Sequence, residues 1–131
     1  MKKHFFTGSL LIAASLILVS CCCIFSNNKE LKAENSGETF KGKPGDTITI
    51  LLKSNPTTGY NWSVQQNDNN IIKLVNSKYN SDSKLIGAGG NQKYTFKLLN
   101  PGKTELKLVY KRAWEKVPPI RTFNLNVIAK K

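Results

Sequence analysis

Histidine is almost absent from this chain, and its single copy, His4, lies among the first residues. Cysteine is confined to three adjacent positions, 21 to 23. A Ser-His-Asp or Cys-His nucleophile system and an ordinary zinc site are therefore excluded for the remainder of the chain. Because adjacent cysteines cannot join distant strands, we expect the folded part to be stable without a disulfide.

Other signatures of catalysis are also missing. The acidic residues Asp46, Asp68, Asp82, Glu105 and Glu115 stand singly in predicted turns and strand ends, without the pairing that acid and base catalysis requires. No glycine-rich loop precedes a helix that could hold phosphates. The sequence therefore predicts a protein that is not an enzyme and that uses no cofactor and no metal.

The charge is strongly basic. Lys2 and Lys3 are two of the 20 Lys and Arg residues, and all 8 acidic residues lie further on, so the chain after residue 20 carries a formal +10. Such a charge favours acidic partners or anionic surfaces. The lysines are spread singly along the predicted strands, without the basic stripe and interleaved aromatics of a nucleic-acid site, so we expect no nucleic-acid partner.

The N-terminus has the pattern of an export signal. Lys2 and Lys3 precede an apolar run, which predicts a secretory signal over residues 1 to 20. The end of that run, Leu-Val-Ser-Cys at 18 to 21, resembles a lipobox, in which Cys21 would be lipidated. The alternative is an uncleaved anchor, since Phe5 to Phe25 holds no charge and is long enough to span a bilayer. Both alternatives predict an extracytoplasmic domain, anchored to the membrane or secreted.

Residues 21 to 37 are predicted to be a membrane-proximal tether, because Asn27 to Gly37 is rich in Asn, Lys, Glu and Ser. Residues 38 to 131 then form one small domain, which we expect to be a monomer. Apolar residues alternate with polar ones in seven segments of this domain, and Pro-Gly and Asn-rich turns separate several of them. This pattern predicts an all-β, immunoglobulin-like sandwich, with Trp62 as a core residue.

Three connections have unusual compositions. Residues 55 to 60 read Asn-Pro-Thr-Thr-Gly-Tyr, in which Pro56 and Gly59 favour a stiff loop that offers the hydroxyls of Thr57 and Thr58. Residues 80 to 93 are a polar loop that contains Gly-Ala-Gly-Gly at 87 to 90, and residues 112 to 119 carry Trp114 among charges. Because consecutive strands alternate in direction, these three loops are predicted to meet at one end of the domain.

Together, these three motifs resemble, in the same order, the loop motifs of chagasin-type inhibitors of papain-like cysteine proteases. The third motif reads Arg-Ala-Trp at 112 to 114, with Ala113 where that family usually has proline. The resemblance implies an inhibitor that occludes a protease cleft without being cleaved. It implies that Thr57 and Thr58 lie over the catalytic cysteine, that the glycine loop pairs its backbone with the enzyme, and that Arg112 and Trp114 brace the other side.

The protease-binding residues implied by the resemblance are Asn55, Pro56, Thr57, Thr58, Gly59, Tyr60, Gly87, Ala88, Gly89, Gly90, Arg112 and Trp114. The expected partners are thus a papain-like cysteine protease and, through the N-terminus, a membrane. An alternative from another class is a basic surface adhesion module that uses the same sandwich to bind anionic polymers. The two differ in salt dependence, because binding to a polymer by charge alone weakens steeply as ionic strength rises.

Overall fold

The computed structural model describes residues 26 to 131, which form two four-stranded sheets packed face to face. The strands are β1 Asn28–Lys32, β2 Thr39–Gly42, β3 Thr47–Ser54, β4 Tyr60–Gln66, β5 Ile72–Ser81, β6 Gly90–Leu98, β7 Gly102–Arg112 and β8 Arg121–Ala129. Short 3-10 turns occupy Ala33–Asn35 and Pro56–Thr58. Among these residues, no helix is long and apolar enough to cross a bilayer. The prediction of an all-β sandwich is confirmed.

The first sheet has the strand order β1-β3-β6-β5, and the second has the order β2-β8-β7-β4. Neighbouring strands are antiparallel except at one side of the sandwich, where β1 pairs in parallel with β3 and β2 pairs in parallel with β8. The N-terminal segment thus adds one strand to each sheet. Residues 26 to 131 contain eight strands where the alternation predicted seven, because β1 was not recognised.

The core lies between the sheets and follows from the alternation. In β3, Ile48 and Ile50 are 0% exposed and Leu52 is 1% exposed, so every second residue faces inward. Matching inward residues come from β6, β7 and β8: Tyr94, Phe96, Leu98, Leu106, Leu108, Tyr110, Phe123, Leu125 and Val127. Since the core residues lie between Leu31 and Ala129, residues 26 to 131 hold what an independently folding domain requires.

Trp62 is buried in this core, as predicted. Its ring centroid lies 5.1 Å from that of Tyr110, and its indole Nε1 donates a hydrogen bond to the carbonyl of Lys53 at 2.9 Å. The Tyr94 hydroxyl donates to the carbonyl of Trp62 at 2.7 Å. Burial raises the pKa of Tyr94 above its ordinary value, so this hydroxyl stays protonated and able to donate. Trp62 therefore joins the two sheets through both packing and hydrogen bonds.

The prediction of a tether over residues 21 to 37 is wrong for the part that the structure describes. Asn28–Lys32 is strand β1, and Leu31 is 1% exposed within the core. The Ser36 hydroxyl then accepts a hydrogen bond from the amide of Asn124 in β8. The single apolar residue among polar neighbours concealed this strand, because one buried side chain leaves no alternating pattern. The predicted signal over 1 to 20, and Cys21, lie outside the described residues.

Strand register places the three unusual loops at one end of the sandwich. Ser54 of β3 and Ser81 of β5 both pair with Gly90 of β6. In the other sheet, Tyr60 of β4 pairs with Arg112 of β7. The loops that leave these positions therefore emerge together, as strand alternation predicted. We call this the loop end, and we call the opposite end, with the turns around Pro44 and Pro101, the base.

Candidate functional site

The first loop, residues 55 to 59, is a single 3-10 turn held by its own backbone. The amide of Thr58 donates to the carbonyl of Asn55 at 3.1 Å, and the amide of Gly59 donates to Pro56 at 2.9 Å. Gly59 ends the turn in the left-handed region, with φ of +83°, which favours glycine. The loop is also tied to the scaffold, because the Asn55 amide donates to the hydroxyl of Tyr110 at 2.9 Å.

The two threonine hydroxyls, which the sequence predicted to be offered at the tip, each donate a hydrogen bond within the loop. Thr57 Oγ1 donates to the side-chain oxygen of Asn55, and Thr58 Oγ1 donates to the Asn55 backbone carbonyl at 2.7 Å. Both side chains are nevertheless exposed. The consequence is a tip whose shape is set before it meets a partner, which lowers the entropy lost on binding.

The second loop, residues 82 to 89, is shorter than the predicted 80 to 93, because β5 and β6 extend into that stretch. Gly90 is a buried residue of β6, where a Cβ would collide with the carbonyl of Asn80. Its backbone is therefore used within the sheet and is not open to a partner. The side-chain amide of Asn55 donates to the carbonyl of Gly87 at 3.3 Å, which connects the first two loops.

Arg112, the last residue of β7, connects the third loop to the first. Its Nε donates to the carbonyl of Thr58 at 3.0 Å, and its Nη1 donates to Glu115 at 3.0 Å. The guanidinium carbon lies 4.4 Å from the ring centroid of Tyr60. The hydrogen bond to Glu115 raises the pKa of Arg112 above its ordinary value. The side chain thus acts as a brace between two loops.

Trp114 lies on the outside of the same pair of loops. Its side chain is 70% exposed, in contrast to the buried Trp62. A Cβ built on Gly59 would collide with Cη2 of the Trp114 indole and lie 3.0 Å from Cζ2, so the indole contacts the glycine backbone directly. Gly59 is therefore required twice, once by its positive φ and once by this contact.

Replacing Gly59 by alanine is expected to displace the Trp114 indole and reshape the first loop. The new Cβ meets the ring, and the left-handed conformation costs on the order of 1 kcal/mol for an L side chain. We expect binding to any partner that contacts this loop to fall at least tenfold, with a small decrease in Tm. Titration of the partner, together with the near-ultraviolet signal of Trp114, measures both effects.

Gly45 provides the matched control, because its φ is +98° and a Cβ there would meet nothing within 4 Å. It lies at the base, so Gly45→Ala should lower Tm similarly and leave binding unchanged. Equal loss of binding in the two variants would show that backbone strain, and not the contact with Trp114, accounts for the effect.

Exposed apolar side chains are concentrated at the loop end. Leu85 and Ile86 in the second loop are 77% and 106% exposed. In and next to the third loop, Trp114, Val117 and Ile120 are each at least half exposed. The three motifs did not indicate Leu85 and Ile86, although an apolar pair inside a polar stretch is a detectable signal. Such a patch on an otherwise polar sandwich indicates a protein-binding surface.

The predicted site residues are thus brought together. Contacts connect the first loop to the second through Asn55 and to the third through Arg112 and Trp114. Tyr60 is half-buried in β4 beneath Arg112 and packs against the core, so it supports the loops from below. The fold and this site define a class: a small immunoglobulin-like sandwich with three loops in mutual contact at one end.

Comparison with known proteins gives the family. The model of the family described as Chagasin family peptidase inhibitor I42 matches residues 42 to 127. The chain belongs to this family of peptidase inhibitors, and its role is accordingly that of an inhibitor and not of an enzyme. The prediction from the three motifs is confirmed at this level.

Individual relatives support this family assignment. The chain is 36% identical over 93 residues to chagasin of Trypanosoma cruzi. This aligned region covers 67% of this chain and 84% of that relative. The crystal structure of the cysteine protease inhibitor EhICP2 from Entamoeba histolytica is similar with a TM-score of 0.72 and 27% identity, over 79% of this chain and 96% of the other. PbICP-C, solved in complex with falcipain-2, shares the fold with a TM-score of 0.59 at 18% identity, over 78% and 99% of the two chains.

Proposed function

We propose that this protein inhibits papain-like cysteine proteases by filling the active-site cleft with its loop end. The observation that carries the proposal is the set of contacts between loops, in which Asn55, Arg112 and Trp114 each connect the first loop to a neighbour. A convex surface that is ordered before binding loses little entropy when it enters a cleft. None of the three relatives supports the alternative of an adhesion module that binds anionic polymers.

In the proposed complex the first loop is central. Thr57 and Thr58 lie at its exposed tip and are placed over the catalytic cysteine. A peptide is cleaved only when it presents an extended backbone in attack geometry, whereas Pro56–Thr58 is a 3-10 turn with its hydrogen bonds internally satisfied. The loop therefore occupies the cleft without offering a bond that can be cut.

The outer loops flank the tip. The backbone of Gly87, Ala88 and Gly89 is proposed to contact the enzyme on one side, since two of these residues lack side chains that would keep a partner away. Arg112 and Trp114 are proposed to brace the other side, with the indole as the main apolar contact. Ala113 replaces the proline usual in this motif, and the hydrogen bonds of Arg112 to Thr58 and Glu115 stiffen this loop in its place.

The test is the inhibition of papain by residues 26 to 131. We expect competitive inhibition, with the domain recovered intact by mass spectrometry after prolonged incubation. Absence of inhibition at micromolar protein, with the β-sandwich verified by circular dichroism, would overturn the proposal. Progressive cleavage of the domain within residues 55 to 60 would instead identify it as a substrate.

Leu85 and Ile86 are expected to contribute to affinity beyond the predicted motif. Replacing both by serine removes most of their apolar area, which should weaken inhibition of papain roughly tenfold if half of that area becomes buried. Tm should not change, because both side chains are exposed in the free protein. Val75→Ser is the matched control, since Val75 is 52% exposed on β5, away from the loop end. If the double variant and the unchanged domain had the same inhibition constant, Leu85 and Ile86 would lie outside the interface.

We also propose that residues 1 to 25, which lie outside the described residues, export the domain and anchor it to a membrane. Incorporation of labelled fatty acid that is lost in Cys21→Ser would support the lipid anchor. Membrane association without any label would support the uncleaved helix, and a domain found in the soluble cytoplasm would contradict both.

A further inference from the structure

The base of the sandwich has an excess of positive charge. Its lysines follow β2 and β8, precede the last residue of β6, and are the second residues of β5 and β7. We call six of them the base lysines, namely Lys43, Lys73, Lys97, Lys103, Lys130 and Lys131, and all six are exposed. Backbone contacts hold them around one end: the amide of Lys130 donates to Gly42, the amide of Gly45 donates to Leu98, and Lys103 pairs with Ile128.

The base lysines have no acidic partner among residues 26 to 131. The three ion pairs found there are Lys29 with Glu38, Lys53 with Asp82 and Arg112 with Glu115, and none includes a base lysine. Two carboxylates lie at this end, but Asp46 is buried and accepts the amides of Asn27 and Lys43, and Asp68 accepts the amide of Asn70. Neither carboxylate forms an ion pair with a base lysine.

Two base lysines are placed directly against each other. Lys73 of β5 and Lys97 of β6 are register partners, so their Cβ atoms lie on the order of 5 Å apart on one face of the sheet. Like charges in this position are destabilising unless an external anion compensates them. Lys78 and Lys93 form a second such pair nearer the loop end, so an anionic surface at the base would relieve one of two repulsions between these strands.

The chain leaves the described domain at this same end. The Ser26 hydroxyl donates to the carbonyl of Gly45 at 2.9 Å, and the Asn27 amide donates to Asp46 at 3.0 Å. No slack therefore remains between residue 26 and the base. If Cys21 is anchored, the few residues between it and Ser26 span at most about 17 Å, which holds the base close to the bilayer.

We propose that the base is a docking surface for anionic phospholipid headgroups, which orients the domain so that its loops point away from the membrane. The proposal rests on the anchor proposed above, and not on protease inhibition. Exposed lysines are attracted to anionic headgroups within about a Debye length of the bilayer, so the base lysines favour the orientation in which the base faces the membrane. Since β3 spans the sandwich in 8 residues, the loop end lies roughly 27 Å further out.

Vesicle binding by residues 26 to 131, without the N-terminal segment, tests the surface itself. We expect binding to vesicles of phosphatidylglycerol and phosphatidylcholine, and none to phosphatidylcholine alone. Replacing Lys43, Lys103 and Lys130 by glutamine should reduce binding on the order of 100-fold, at roughly fivefold for each lysine near the surface. Inhibition of papain by this variant should be unchanged, which separates this proposal from the proposed function.

The matched control replaces Lys32, Lys78 and Lys84 by glutamine. These lysines are exposed and lie toward or at the loop end, so the control loses the same charge from the other half of the domain. We expect it to retain most of the vesicle binding. Equal losses in the two variants would show that net charge alone attracts the domain, and absence of binding to the anionic vesicles would overturn the proposal outright. Equal binding to neutral vesicles would also overturn it.

Discussion

Replacing Trp114 by alanine is expected to weaken inhibition of papain by at least about 30-fold, because a tryptophan that becomes buried as an anchor of a protein interface typically contributes about 2 kcal/mol or more. The indole is 70% exposed in the free domain, so a partner can bury most of its area. It also covers Gly59, and its removal would free the first loop to change shape. The inhibition constant, measured under competitive conditions, provides the test.

Stability should hardly change in this variant, since the exposed indole contributes little to the core. Trp114→Phe is the conservative control and should keep a large part of the affinity, because it retains an aromatic ring. An inhibition constant for Trp114→Ala within threefold of the original, with a normal Tm, would exclude the third loop from the interface.

Replacing Trp62 by alanine is expected to lower the stability of the domain and to leave its affinity for papain nearly unchanged, which is the reverse of the result for Trp114→Ala. Truncating a buried aromatic residue of this size costs about 3 to 5 kcal/mol, a large part of the stability of a domain of this length. The loss of the indole Nε1 also leaves the Lys53 carbonyl without its donor. Thermal unfolding should show Tm lower by roughly 15 to 30 °C.

Inhibition by the fraction of Trp62→Ala that remains folded should be close to normal, because Trp62 lies within the core and not among the exposed loop residues. Trp62→Phe should destabilise the domain less, since it retains much of the buried volume. A Tm within a few degrees of the original would contradict the place of Trp62 between the two sheets. The same substitution at two tryptophans thus separates stability from binding.

The alternation of residues was sufficient to predict β3, β4, β6, β7 and β8 and their inward faces, because one buried face per strand produces a period of two. Strand β1 could not be predicted in this way. Only Leu31 is buried in it, and its pairing with β3 depends on residues some 20 positions away. For the same reason, the second loop was predicted to span 80 to 93, which is longer than the loop in the structure. The polar ends of β5 and β6 are defined by their pairing and not by their composition.

Within residues 55 to 60, the sequence likewise predicted some features and could not predict others. Proline and glycine at the ends of this stretch were sufficient to predict a stiff turn, because their allowed backbone angles are local properties. Its hydroxyls were predicted to be offered at the tip, and the structure adds that both donate hydrogen bonds to Asn55. Side-chain hydrogen bonds depend on the exact path of the turn, which composition does not specify.

By itself, the sequence determined the class of fold, the absence of a catalytic apparatus, the three loop motifs and their position at one end, and through these the family. Each of these follows from residue type, local periodicity or strand order. Only the tertiary structure decided that Arg112 and Trp114 hold the first loop, that Leu85 and Ile86 join the exposed apolar surface, and that the chain departs from a lysine-rich base opposite the loops. These are contacts and distances between residues far apart in the chain, and they exist only once the two sheets have packed together.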